Sequence, residues 1–124
     1  MAITFNSLRP ILWTKKFEET ITFYRNILDF DLVEVNMEYQ WAALKKNDIE
    51  LMVSAPNGQV SFPAIGFTGS FYFNVNNVDE MWNNIKSNVD VCYEIEDFPW
   101  NMREFAIYDI NGYILQFGED LNKG

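Results

Sequence analysis

The chain contains no histidine and only one cysteine, Cys92. Lack of histidine removes the commonest general base and the commonest transition-metal ligand. It excludes Ser-His and Cys-His nucleophile systems. A metal site would have to be built from carboxylates, amides and water, a set that suits hard ions better than zinc. The lone cysteine excludes an internal disulfide and suits a reducing cytoplasm, which is the expected location. With no imidazole to activate it, Cys92 reads as a small apolar residue. No apolar run approaches the roughly 20 residues of a membrane span, and the first residues, Met1 to Asn6, lack the basic and apolar regions of a signal peptide. Positive charge is also scarce. Nine Lys and Arg stand against 18 Asp and Glu, a net charge of −9. That balance argues against nucleic acid, which needs a basic footprint, and is compatible with a cationic ligand.

What is present is a core. Hydrophobic residues make up 48% of 124 positions, enough for one domain that buries roughly two-thirds of its unfolded surface. The stretch from Arg103 to Glu119 is the most legible. Phe105 and Ile107 alternate with other residues before a turn, and Leu115 and Phe117 do so after it, the period of a strand with two different faces. Asp109, Asn111 and Gly112 supply the turn, since they tolerate positive φ at little cost.

Read in order, Leu8–Trp13 is a strand and Thr14 a helix N-cap. Phe17, Ile21, Tyr24, Ile27 and Leu28 follow at helical spacing. Leu32–Val35 is a strand, and Tyr39–Lys45 with Asp48–Val53 is a hairpin across Lys46-Asn47. Ala55-Pro56-Asn57-Gly58 breaks the pattern, and a linker runs to Gly69. The same order then returns: strand Ser70–Asn76, helix Val78–Ser87, strand Asp90–Ile95 and the Arg103–Phe117 hairpin. The chain therefore reads as one α+β domain over residues 1–124, with βαβββ units at about 5–55 and 69–119 and a linker at about 56–68.

The strand parities agree between the halves. One face carries Leu8, Pro10 and Leu12; Ile49, Leu51 and Val53; Phe71, Phe73 and Val75; Leu115 and Phe117. These are apolar and should pack under the helices. The other carries Arg9, Ile11 and Trp13; Asp48, Glu50 and Met52; Ser70, Tyr72 and Asn74; Ile114, Gln116 and Gly118. A sealed second core would strand Arg9 and Glu50. A mixed sheet curled around a wet groove, with helices on its outer face, would satisfy both.

A duplicated βαβββ unit with this hairpin resembles the vicinal oxygen chelate superfamily: glyoxalase I, extradiol dioxygenases and bleomycin-resistance-type binding proteins. Two anchors carry the resemblance. Phe23-Tyr24 with Ile27-Leu28-Asp29-Phe30 is similar to the family's Phe-Tyr…Leu-Gly-Phe. Trp100-Asn101-Met102-Arg103-Glu104-Phe105, followed by Asp109 to Phe117, is similar to its Trp-Gly-x-Arg-x-Phe…Asp-Pro-x-Gly-Asn. In metal-using members, four inward side chains hold a divalent ion, and the matching positions here are Arg9, Glu50, Ser70 and Gln116. Only Glu50 is a strong anionic ligand, and a guanidinium does not bind metal. The resemblance thus implies the metal-free, antibiotic-resistance-like branch, with no cofactor and a small molecule bound in the groove. Arg9 and Glu50 read as an internal ion pair, as ligand contacts, or as both. Trp13, Trp41, Tyr72, Trp100 and Tyr108 are candidate stacking surfaces. Glu104, by parity with Ala106 and Tyr108, adds acidity, while Arg103 reads as structural or rim. Gln116 completes the candidate ligand-binding set. An acidic, aromatic groove suits a flat cation. The alternatives are an enzyme of the same superfamily (lyase, isomerase or dioxygenase) rebuilt around Glu50, and a module that docks another protein. The resemblance also implies a homodimer.

Overall fold

The computed structural model of the chain describes residues 2–56, 62–66 and 69–122. It divides into two compact units, Met1–Ser61 and Phe62–Gly124. Of the expected linker, residues 57–61 and 67–68 lie outside the described residues.

The first unit contains β1 (Ile11–Trp13), α1 (Phe17–Asn26), β2 (Asp31–Asn36), β3 (Trp41–Lys46) and β4 (Ile49–Ser54). The strands lie in the order β1-β4-β3-β2, with β1 parallel to β4 and the other pairs antiparallel. The apolar stripe of α1 forms as its spacing predicts. Phe17, Ile21 and Tyr24 are buried, as is Leu28 just beyond the helix, together with Leu12, Leu51 and Val53 of the sheet. The helix start differs from expectation. Lys16 occupies the N-cap position, and no side chain caps there. Thr14 instead accepts a hydrogen bond from the Lys16 N–H at 2.8 Å and lies 3.1 Å from the Thr20 hydroxyl, so two buried threonines tie the strand end to the first helical turn. Asn47, at φ 53, makes the β3–β4 turn. Leu8 and Ile49, both assigned to the core face, are 90% and 43% exposed. Strand pairing begins only after Pro10, whose carbonyl accepts from the Met52 N–H at 2.8 Å, so Leu8 precedes the regular alternation.

The second unit contains β5 (Ser70–Asn74), α2 (Val78–Ile85), β6 (Asp90–Phe98), β7 (Met102–Tyr108) and β8 (Ile114–Asp120). Its order is β5-β8-β7-β6, again with one parallel pair, β5 with β8. The β7–β8 turn is local chemistry. Asp109 Oδ1 accepts from the N–H groups of Asn111 and Tyr113 at 2.8 and 3.0 Å, and Gly112 takes φ 100. Val78, Trp82 and Ile85 of α2 are buried. Trp82 packs on Phe105 with ring centroids 5.0 Å apart, and Phe105 stacks on Phe117 at 5.3 Å. The start of α2 is capped from a distant strand. The Val78 N–H donates to Glu119 Oε1 at 3.0 Å, meeting one of the unpaired donors of the first turn. Arg103 clamps the same end, donating to Asp79 of α2 at 2.8–3.1 Å and to Asp97 of β6 at 3.0 Å.

The two βαβββ repeats are thus present, but the expected single curled sheet is not. Among the described residues each repeat forms its own open four-stranded sheet. Period-2 alternation shows which face of a strand is apolar. It does not determine which strand edges pair, because pairing depends on backbone groups that every sequence carries.

Candidate functional site

In the first unit Arg9 and Glu50 meet. Arg9 Nη1 donates to Glu50 Oε1 at 3.1 Å, with the two side chains 44% and 33% exposed. The register explains the pairing. β1 runs parallel to β4 with Ile11 opposite Met52, which brings the residue two before Ile11 beside the residue two before Met52. Trp41 lies across from Ser54 on the neighbouring strand, and its indole N–H points to the Met52 sulfur at 3.3 Å. Trp13 is half-buried at the end of β1. These four predicted residues belong to one half-polar sheet surface, on which Arg9 and Glu50 are paired.

The second unit holds a more connected arrangement, centred on Glu104. This residue is 1% exposed. Its Oε1 accepts from the Tyr72 hydroxyl and the Trp100 indole N–H, each at 2.8 Å. Its Oε2 accepts a short hydrogen bond from the Tyr93 hydroxyl. Tyr93 Oη in turn accepts from Gln116 Nε2 at 2.9 Å, and Gln116 Oε1 accepts from the Ser70 hydroxyl at 2.6 Å. Six side chains from four strands and one turn therefore form one chain of hydrogen bonds. Among the described residues no buried side-chain nitrogen or oxygen lacks a partner. Three donors on one carboxylate offset the desolvation that otherwise penalises a buried charge.

The register builds this network. β8 places Gln116 opposite Tyr72 on β5 and Ala106 on β7, and places Gly118 opposite Glu104. Gly118 has a steric purpose. A Cβ there would collide with the Tyr72 hydroxyl and lie 2.7 Å from Tyr72 Cζ. The missing side chain is the space through which the phenol reaches Glu104. Burial and the carboxylate push both phenols up: Tyr93 to about 12, and Tyr72 well above the ordinary tyrosine value. Tyr72 retains 45% exposure as a residue. The hydroxyl end, against Gly118 and Glu104, is the shielded part.

Trp100 is 58% exposed, yet its indole is fixed at both ends, by Glu104 and by stacking on Phe98 at 4.8 Å and 16°. Tyr108 is 39% exposed, and its hydroxyl is held above the ordinary range by a hydrogen bond with Cys92. The predicted residues Tyr72, Trp100, Glu104 and Gln116 are thus joined in one network together with Ser70, while Tyr108 lies outside it.

Sequence reasoning missed Tyr93. The β6–β7 register slips between Val91 and Tyr93 and again between Tyr93 and Glu96. Each slip inverts the parity by which faces are assigned, so no alternation rule places this tyrosine. A cavity of about 480 Å³ beside Trp82, Lys86, Val91, Cys92, Tyr93 and Glu94 was also not foreseen. It touches the network only through Tyr93.

The family's divalent ion does not fit these side chains. Of the positions that the resemblance assigns to its ligands, Arg9 is a fixed cation bonded to Glu50, and the Ser70 hydroxyl is bonded to Gln116. Among the described residues no group of three or more His, Cys, Asp and Glu side chains is placed to hold a metal ion.

Paired βαβββ units, each with a helix on one sheet face and a half-polar network on the other, define the class of protein. The chain belongs to the glyoxalase/bleomycin resistance protein/dioxygenase superfamily, whose model matches residues 5–117. Solved structures agree on the fold. A protein of unknown function from Agrobacterium tumefaciens str. C58 is 19% identical, with 97% of this chain and 98% of that one covered and a TM-score of 0.80. A lactoylglutathione lyase from Agrobacterium tumefaciens is 17% identical, covered 92% on both sides, with a TM-score of 0.69. The bleomycin-binding protein of bleomycin-producing Streptomyces verticillus, solved with copper(II)-bleomycin, is 20% identical, with 94% and 97% covered and a TM-score of 0.69. No curated protein matches the sequence.

Proposed function

We propose that this protein binds a small molecule without a metal, sequestering or carrying a flat, cationic ligand against acidic and aromatic sheet surfaces. The observation that carries this reading is the fate of the family's ligand positions. Arg9 and Glu50 neutralise each other, and Ser70 and Gln116 satisfy each other. Metal-assisted polarisation of a substrate oxygen, the chemistry that a divalent ion supplies, has no matching donor set. The fixed indole of Trp100, the exposed ring of Tyr72 and the net charge of −9 favour an aromatic cation. The enzyme alternative centred on Glu50 is less favoured, because that carboxylate is engaged by Arg9. We further propose a cytoplasmic homodimer.

The test is metal content of the purified protein, with melting temperature followed on adding Mg, Mn, Ni, Zn or EDTA. A resident ion stabilises the native state by mass action. The expected result is no stoichiometric metal and no shift. A stoichiometric ion whose removal lowers the melting temperature overturns the proposal.

A further inference from the structure

The hydrogen-bond chain of the second unit has a direction, and the direction has a consequence at the surface. A carboxylate only accepts. Glu104 therefore accepts hydrogen bonds from the Tyr72 and Tyr93 hydroxyls and the Trp100 indole N–H. The Tyr93 proton is then committed inward, so its oxygen can only accept, and the Gln116 atom facing it must be the amide nitrogen. That fixes the amide orientation. Its carbonyl oxygen faces Ser70, and the Ser70 hydroxyl must donate to it. Each link forces the next, and every proton points toward the buried carboxylate. At the exposed end, Ser70 is left with oxygen lone pairs and no proton to offer. Two residues along the same strand and on the same face stands Tyr72, 45% exposed as a residue, with its own hydroxyl proton also committed to Glu104. The second N–H of Gln116 belongs to a half-buried side chain, whereas Ser70 and Tyr72 are exposed.

We infer that Ser70 and Tyr72 form a subsite for hydrogen-bond-donating organic cations, such as an amidinium or a primary ammonium, with the N–H donating to Ser70 Oγ and the cation lying over the Tyr72 ring. The inference deepens the binding-protein reading and rests on it. It adds that Glu104, which is sealed from the ligand, acts as a positioning residue: it sets the polarity of the subsite through Tyr93 and Gln116. A carboxylate or phosphate group would meet acceptors on Ser70 and find no proton there. A cation without N–H groups would keep the ring contact and lose the hydrogen bond.

The experiment uses four probes of one shape class: benzamidinium, phenyltrimethylammonium, benzamide and benzoate. Each is titrated into the full chain at near-physiological salt, and binding is read from amide shifts at Ser70, Tyr72 and Gln116. The expected result is that benzamidinium binds there at least tenfold more tightly than benzamide and more tightly than phenyltrimethylammonium, and that benzoate gives no site-specific shift. Ser70→Ala, an exposed change that leaves Glu104 sealed, should remove the advantage of benzamidinium over phenyltrimethylammonium. Glu104→Gln can donate outward to the phenols and should narrow the gap between benzamidinium and benzamide. Equal binding of the two cations overturns the inference and leaves a site of charge and ring contact only, with the binding-protein reading intact. Benzoate binding as tightly as benzamidinium, or no probe shifting these residues, also overturns it. Failure of the parent reading would appear separately, as a stoichiometric metal.

Discussion

Gly118→Ala isolates the contact that makes the Glu104 network possible. Gly118 carries no positive φ, so alanine meets no backbone strain, and replacing a strand glycine would ordinarily stabilise by about 0.5–1 kcal/mol. Here the new Cβ would lie 2.7 Å from Tyr72 Cζ and closer still to its hydroxyl. Tyr72 is 45% exposed and can swing outward, so the clash is relieved at the expense of its hydrogen bond to Glu104. A hydrogen bond to a charged group contributes about 1.5–3 kcal/mol. Set against the propensity gain, the net destabilisation is about 1–2 kcal/mol. In a Tyr72→Ala background there is no phenol to displace. The nearest remaining atom is Met102 Cε at 3.1 Å, the free end of a flexible side chain. There the same Gly118→Ala change should be neutral or stabilising. Urea unfolding of the four proteins closes the cycle. An effect of the same sign and size in both backgrounds would refute the claim that Gly118 exists to admit Tyr72.

Three further outcomes follow from the geometry. The Tyr93 hydroxyl is raised to about 12 in the folded protein and Tyr72 lies above its ordinary value, so folding keeps protons that the unfolded chain releases. The contribution of these two phenols should therefore be level below about pH 10 and fall as pH rises toward 12, with a weaker fall in Tyr93→Phe; a urea midpoint that stays flat between about pH 9 and 12 would count against the network. Glu119→Ala removes the cap on the Val78 N–H and should cost about 1 kcal/mol, read by thermal unfolding, with extra amide exchange confined to the first turn of α2. Arg103→Ala breaks two partly exposed ion pairs and should cost no more than about 1 kcal/mol for each, with the loss shrinking in high salt. Asp79 is held below its usual range by Arg103, so that contribution is present above the ordinary carboxylate value and fades as pH falls through it, which acid titration of wild type against Arg103→Ala would reveal.

The elements of this protein were legible wherever short-range chemistry sets them. Asp109 bonds to backbone two and four residues on, so the β7–β8 turn needs nothing but its own residues. The stripe of Phe17, Ile21 and Tyr24 buries one side of α1 because the spacing puts all three on one face. The duplicated βαβββ order follows from such local signals alone. The pairing of Arg9 with Glu50 was available as one of two readings, since adjacent strands of matched parity bring these positions together once register is set.

Tertiary structure decided the rest. Which strand edges join is a matter of backbone geometry over long separations, and it gave two open sheets where alternation suggested one curled sheet. The partners of Glu104 arrive from Tyr72, Tyr93 and Trp100, residues that share no sequence pattern, and one of them reaches the face only through a pair of register slips. The sequence by itself determined that Gln116 lies on the half-polar face of its strand. That its amide would be oriented, atom by atom, by a carboxylate two hydrogen bonds away was decided by the assembled sheet, because only there do the donors find the one group that can do nothing but accept.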